Sequence, residues 1–239
     1  LTFSVTAACQ SLCKTCRIGE RFLADPKIVR QNMTLEQVER TFSSMGELYF
    51  LNISGGEPFM RNELPEIIQL ACKYLKPKLV HIPTNAISPK RIGRMTERIM
   101  EIVSAHDPKL PVSIKPSIDG LRERHDEIRG FPGNWERLLQ TVKVLKEVEA
   151  RYPALHVELG TVISRFNMDQ LDELEDFVHG LGVESYRSEI AEQRAEFFNH
   201  DDPIVSVPDT YERLIMGFAA KVEKNIGGKR LMPRVFEAI

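Results

Sequence analysis

"PVSIKPSIDG", residues 111–120, carries two patterns at once. Val112, Ile114 and Ile118 fall on one side of an extended chain, and Ser113, Lys115, Ser117 and Asp119 fall on the other, because successive side chains of a strand point to opposite faces. Asp119-Gly120 then reads as a turn dipeptide. The same contrast recurs in "LTFSVT" (1–6), "LYFLNIS" (48–54), "KLVHIPTN" (78–85), "HVELGTVIS" (156–164) and "VESYRSEI" (183–190). The apolar face continues through Leu1, Phe3, Val5, Tyr49, Leu51, Ile53, Val80, Ile82, Val157, Leu159 and Ile163. The polar face continues through Thr2, Ser4, Thr6, Asn52, Ser54, His81, Asn85, His156, Glu158, Ser185, Arg187 and Glu189.

Helical patterns separate these runs, at 34–46, 63–75, 89–104, 134–150 and 168–180. "TLEQ" (34–37) is a capping box with Thr34 as N-cap,. Alternation of strand and helix at this spacing predicts βαβ units and a parallel sheet. Parallel strands covered on both faces are almost uniformly apolar, and these are half polar. Burying those groups unpartnered would cost a few kcal/mol each. An incomplete barrel with a polar lumen accounts for the pattern, whereas a doubly wound sheet does not.

A chain of 239 residues, 42% apolar and 28% charged, can bury one sizeable core,. Residues 1–190 form that core domain, and 191–239 read as a linker broken by Pro203 and Pro208, then a bridging helix at about 209–225. The segment reads as leading to a C-terminal extension beyond Ile239. The net charge of −2, with both signs interspersed, gives no reason to expect nucleic acid as a partner,. No apolar run reaches membrane-spanning length. Thiols this crowded suit a reducing compartment, and the cytoplasm is expected.

"TAACQSLCKTCRIG" (6–19) holds Cys9, Cys13 and Cys16. A disulfide set would leave one thiol over. Structural zinc needs a fourth ligand, and Cys72 lies in "EIIQLACKYL", on the apolar stripe of a helix, where a free Cys is usually a small core residue. A [4Fe–4S] cluster on three cysteines leaves one iron open to a ligand from outside the protein. Ligands of parallel α/β folds gather at the carboxyl ends of strands, where the trio follows the first strand. "SGGEPFMR" (54–61) follows the second: Gly55 and Gly56 permit tight turns, and Glu57 offers a carboxylate to an ammonium group,. Asn85 follows the third strand, and Ser117 with Asp119 the fourth.

Together Cys9-x3-Cys13-x2-Cys16, Gly55-Gly56-Glu57-Pro58 and Ser117-Ile118-Asp119-Gly120 resemble the radical SAM superfamily over about residues 1–190. "SIDGLRERHDEIRG" (117–130) is similar to the branch whose members often carry a SPASM or Twitch extension. The resemblance implies an α/β fold, a partial (β/α)6 TIM-type barrel of parallel strands with a C-terminal helical extension. It implies an enzyme that binds a [4Fe–4S] cluster at the trio and S-adenosylmethionine (SAM), cleaves SAM reductively to a 5′-deoxyadenosyl radical, and takes hydrogen from a peptide or small-molecule substrate. An electron donor such as a flavodoxin or ferredoxin would supply the reduction. By resemblance Gly55, Gly56 and Glu57 serve the methionine amino group, Ser117 and Asn85 its carboxylate and the ribose, and Asn167 in "ISRFN" the ribose. Arg129 is a further candidate for SAM. The position before the third cysteine, usually aromatic or large and apolar in the family, is Thr15 here. The rival reading is a non-catalytic zinc module using the trio and Cys72.

Strand parity adds lumen candidates. Lys115, Glu158, Arg187, Glu189 and His81 share the interior face. Lys115 and Glu158 either neutralise each other or meet the substrate or the SAM carboxylate.

Overall fold

The computed structural model describes residues 1–183 and 185–204. Six strands run in it: β1 (Thr2–Ser4), β2 (Phe50–Ser54), β3 (Leu79–Thr84), β4 (Val112–Pro116), β5 (Leu155–Ile163) and β6 (Ser185–Ile190). They lie side by side in sequence order, every neighbouring pair parallel. A doubly wound sheet would reverse direction at a switch point, and this order never reverses, as in a barrel. Among the described residues β6 pairs with β5 alone, so the barrel stays open between β6 and β1.

Each crossover carries helix. α1 (Ile18–Ala24) and α2 (Leu35–Ser43) follow β1; α3 (Leu64–Tyr74) follows β2; α4 (Pro89–His106) follows β3. α5 (Glu123–Arg129) and α6 (Asn134–Glu149) follow β4, and α7 (Leu171–Gly180) precedes β6. The expected box caps α2: Gln37 N–H donates to Thr34 Oγ1 (3.2 Å) and Thr34 N–H to Gln37 Oε1 (2.8 Å). Two helices, α1 and α5, are additions to the sequence reading. Each is seven residues long, too short for a sustained 3.6-residue period to stand out.

The apolar faces point outward, under the helices. Leu51, Ile53, Val80, Ile82, Val112, Ile114 and Val157 are fully buried against Val38 and Phe42 of α2, Ile67 and Ile68 of α3, and Ile99 and Val103 of α4. Ile118 and Leu159 form a second cluster with Trp135 and Leu138 of α6 and Leu174 and Val178 of α7. Each such side chain contributes about 1.5–3 kcal/mol relative to exposure. Tyr49 does not join them: it is 79% exposed. The strand starts one residue later, so alternation does not bind Tyr49, whose carbonyl accepts from Lys78 N–H and Leu79 N–H.

The other face surrounds a cavity of about 1180 Å³. Strand register sets Thr2, Asn52, His81, Ser113 and His156 as successive partners across five strands, and all five line that cavity. A closed TIM barrel fills this volume with Val, Ile and Leu; here an unbroken polar row takes their place. Lys115, Ser117, Glu158, Ser185, Arg187 and Glu189 line the same space. Thr6, Asn85 and Asp119, expected on this face, lie past the strand ends and are buried at the rim instead.

Among the described residues no helix is long and apolar enough to cross a membrane. The helix expected at 209–225 lies outside the described residues. Residues 191–204, read as the start of a linker, are clasped onto the cysteine loop. Arg17 N–H donates to the Phe197 carbonyl, the Arg17 guanidinium forks onto Asp202, and the buried Asn199 amide donates to the Thr15 carbonyl at 2.8 Å.

Candidate functional site

At the carboxyl ends of the strands a second cavity, about 550 Å³, joins the lumen. It lies within the range of small-molecule sites, about 300–1000 Å³. Ser54, Gly55, Ser117 and Glu189 line both spaces. Cys9, Cys13 and Cys16 line the upper one.

The loop carrying these thiols is held from two sides by backbone. Gly56 N–H donates to the Thr6 carbonyl and Glu57 N–H to the Ala8 carbonyl, both at 2.7 Å. A Cβ on Gly56 would be driven into the Ala8 carbonyl, and one on Gly55 would lie 2.5 Å from the Thr6 oxygen. From the other side Lys14 N–H donates to the Ile128 carbonyl at 2.9 Å, and Gly130, at φ +60°, packs against the Leu12 carbonyl. The glycines after β2 are therefore fixed by close approach to the cysteine loop. Among the described residues no donor reaches the Gly55 or Gly56 carbonyl oxygen. Both are available to an ammonium group.

Burial pushes the thiols up, Cys9 to about 11 and Cys16 to about 12, and raises Cys13 as well. Such thiols become thiolates only beside strong positive charge, which iron provides. Among the described residues no three His, Cys, Asp or Glu side chains converge on a point for a single metal ion. Cys72 is buried in the apolar core with Ile67, Ile68 and Ala71 and does not line the cavity. The four-thiol zinc reading therefore has no support. Three thiols lining one cavity, Cys9 buried and Cys13 and Cys16 partly so, fit a multi-iron cluster that spreads its ligands over separate corners.

Glu57 lines the cavity, as expected of it, and is also bonded within its own chain. Its carboxylate accepts from Phe59 N–H (3.1 Å) and Thr84 Oγ1–H (2.9 Å) at one oxygen and from Asn85 N–H (2.6 Å) at the other. Burial raises its pKa while these bonds oppose the rise. Glu57 therefore stitches the end of β2 to the end of β3 while standing on the cavity wall beside Gly55 and Gly56. Asn85 lines the cavity, its amide 3.9 Å from Cys9 Sγ. Ser117 lines it too, its N–H anchored on the Thr84 carbonyl.

Arg129 projects from α5 into the thiol cavity and pairs with Asp119 at 3.0 Å. Asp119 is itself buried and accepts Val162 N–H at 2.8 Å. The turn residue and the arginine are thus one buried ion pair joining β4, α5 and β5. His125 accepts Asp119 N–H through Nδ1, and burial beside Arg129 lowers it to about 3, so it is neutral. Asn167 is fully buried. Its amide donates to the Asp119 and Val162 carbonyls and its oxygen accepts Ser164 N–H. It braces the loop after β5 and does not line either cavity.

The lumen charges come together, with partners other than those expected. Lys115 Nζ pairs with Glu189 Oε1 at 2.6 Å, and Arg187 Nη2 with Glu158 Oε1 at 3.2 Å. Lys115 and Glu158 do not neutralise each other; each meets a residue of β6. Gly160 makes room for the lysine stem, since a Cβ there would lie 2.8 Å from Lys115 Cδ. His81 Nδ1 meets Ser113 Oγ at 2.9 Å, and burial, helped by Lys115, lowers it to about 4. Sequence reasoning missed Ile18, Thr84, Glu192 and Phe197. Ile18 was visible as the apolar start of "IGERFL"; the residues after β6 carry no pattern that marks them.

A profile of the Radical SAM superfamily matches residues 3–178. The AdoMet-dependent heme synthase of Methanosarcina barkeri is 24% identical over 190 residues, 78% of this chain and 48% of the relative. The mycofactocin maturase MftC of Mycolicibacterium smegmatis is 25% identical over 177 residues, 72% of this chain and 40% of the relative. The chain thus spans less than half the length of these curated relatives. Among solved structures, Streptococcus suis SuiB bound to precursor peptide SuiA superposes with a TM-score of 0.63 at 18% identity, covering 94% of this chain and 46% of that one. At that identity the likeness shows the fold.

Proposed function

Because the chain belongs to the radical SAM superfamily, enzymes that use a [4Fe–4S] cluster and S-adenosylmethionine, we propose that it binds both in the cavity of the cysteine trio and directs the resulting radical at a substrate in the polar lumen below. The observation that carries this reading is the meeting of Cys9, Cys13, Cys16, Gly55 and Gly56 on one cavity that opens into the lumen. When bound, the two cofactors together supply reductive cleavage of SAM and a 5′-deoxyadenosyl radical that takes hydrogen from substrate. The chain's own residues supply the rest. Cys9, Cys13 and Cys16 hold three irons. The free carbonyls of Gly55 and Gly56 accept the methionine ammonium. Arg129, steadied by Asp119, and Ser117 and Asn85 stand where the SAM carboxylate and ribose would be met. With Thr15 too small to cover the adenine, Ile190, Ala191 and Phe197 on the same wall are the candidates. The clasp of residues 191–204 closes one side and keeps water out.

The substrate class favoured is a peptide. SuiB, a peptide-bound relative in fold, supports it, as does a lumen too large and polar for an apolar small molecule. The "SIDGLRERHDEIRG" stretch supports a SPASM- or Twitch-type protein. On this reading residues 1–190 are the core and 191–239 lead away from it. An electron donor of the flavodoxin or ferredoxin type and a cytoplasmic setting complete it.

Anaerobic purification tests the reading. A brown protein with about four irons per core, releasing 5′-deoxyadenosine when reduced with SAM, supports it. A colourless zinc protein overturns it.

A further inference from the structure

Three polar atoms in the lower lumen are buried without a hydrogen-bond partner among the described residues: Glu158 Oε2 and Asn52 Oδ1, which can only accept, and Ser185 Oγ, which can accept or donate,. All three residues line the 1180 Å³ cavity. Glu158 is 7% exposed, and its other oxygen already takes Arg187. Ser185 is its register partner on β6, so the two side chains stand next to each other. Asn52 looks in from β2, where its amide nitrogen donates to Thr2 Oγ1 at 3.3 Å.

A carboxylate oxygen buried without a donor is costly, more so than a neutral acceptor. The charged side chains paired there do not relieve it. Lys115 is on Glu189, Arg187 on the opposite oxygen, and His81 is neutral and bonded to Ser113. The imbalance has a sign: two atoms that can only accept are left over on two walls, and the one unpartnered hydroxyl, that of Ser185, bonds neither. A phosphate or carboxylate would add acceptors to this surplus. A nitrogen bearing several N–H groups and a positive charge would meet it, and charge-assisted bonds to a carboxylate are the stronger kind.

We infer that the deep lumen receives a cationic nitrogen of the substrate, an amine or guanidinium, through Glu158 Oε2 with Ser185 and Asn52 as further acceptors. The inference rests on the reading of the lumen as the substrate chamber, and it names what that chamber selects. Arg187 then has a second character. Its side chain is 61% exposed while that of Glu158 is almost buried, so Arg187 is the replaceable member of the pair and competes with the incoming cation.

The test is binding to the anaerobically purified, cluster-loaded protein, read by saturation-transfer NMR. The probes are N-acetyl-lysine methylamide, its norleucine counterpart without the amine, and its glutamate counterpart. The lysine probe should saturate at about 1 mM or tighter, and the other two should not saturate. Glu158→Gln should weaken the lysine probe about tenfold or more, the loss expected for one charged hydrogen bond. Arg187→Gln should tighten it several-fold, an opposite sign that loss of structure would not produce. Equal binding of norleucine, unchanged binding in Glu158→Gln, or no saturable binding at all, which would leave the acceptors to water, each overturns the inference. Should Glu158→Gln fail to fold, the three probes on wild type and on Ser185→Ala still decide. None of these readings depends on SAM cleavage, so this inference and the proposed function fail separately.

Discussion

The thiol rim and the lumen below share walls but are built by different means. At the rim, position is fixed by backbone. Glycines approach carbonyls closely, N–H groups of the β2 loop hold the cysteine loop, and Glu57 is bonded to three donors of its own chain. In the lumen, position is fixed by side chains, and the partly buried Lys115 and the buried Glu158 are balanced by the far more exposed Glu189 and Arg187. Backbone contacts tolerate little change, and side-chain pairs with one exposed member exchange readily. The rim is therefore suited to a constant ligand and the lumen to a selected one.

The sharpest break of that contrast is at the rim. Replacing Cys9, Cys13 or Cys16 by Ala should abolish iron loading and SAM cleavage, read by iron content and 5′-deoxyadenosine release. Retention of a full cluster in any one of them would move the ligand set elsewhere. Next is Arg129→Met, which strands Asp119 as a buried, unpaired charge. It should cost about 3–5 kcal/mol, measured by chemical denaturation, and a loss under 1 kcal/mol would show that Asp119 finds other donors. In the lumen, Lys115→Met keeps length and apolar bulk and should lower substrate turnover while SAM cleavage without substrate persists. Wild-type turnover would make Lys115 structural.

His81 gives a gentler effect with a defined sign. Its folded value, about 4, lies below the unfolded value near 6.5,. The unfolded state therefore takes up the proton first. The stability His81 contributes is present above about pH 6.5 and is lost as pH falls toward 4, at no more than about 1.4 kcal/mol per pH unit for one proton. His81→Asn should flatten that acid limb of the melting curve, and an unchanged limb would assign it to other groups. Smallest is Cys72→Ala, which should keep the cluster and cost about 1–2 kcal/mol of packing.

What the sequence revealed follows from the range of each signal. Alternation is local, so "PVSIKPSIDG" sorted the two faces of the sheet correctly, and it misplaced Leu1 and Tyr49 only where the strand had not yet begun. The trio and the two glycines were legible because chemistry requires them close together in sequence. The job of Glu57 was not, since its donors Thr84 and Asn85 arrive from another strand. Nor was the partner of Lys115, because Glu189 lies 74 residues away and only the pairing of β4 and β6 on either side of β5 brings it near. Asn167 read as a ligand because it follows a strand end; the turn it braces exists only once β5 and Asp119 are in place.

The central claim is that the rim holds a cluster on three cysteines with one iron left for SAM, and electron paramagnetic resonance of the reduced protein tests it most directly. The spectrum should be that of a reduced [4Fe–4S] cluster, should change on adding SAM, and should do both equally in Cys72→Ala. A spectrum indifferent to SAM, or one lost in Cys72→Ala, would contradict the account.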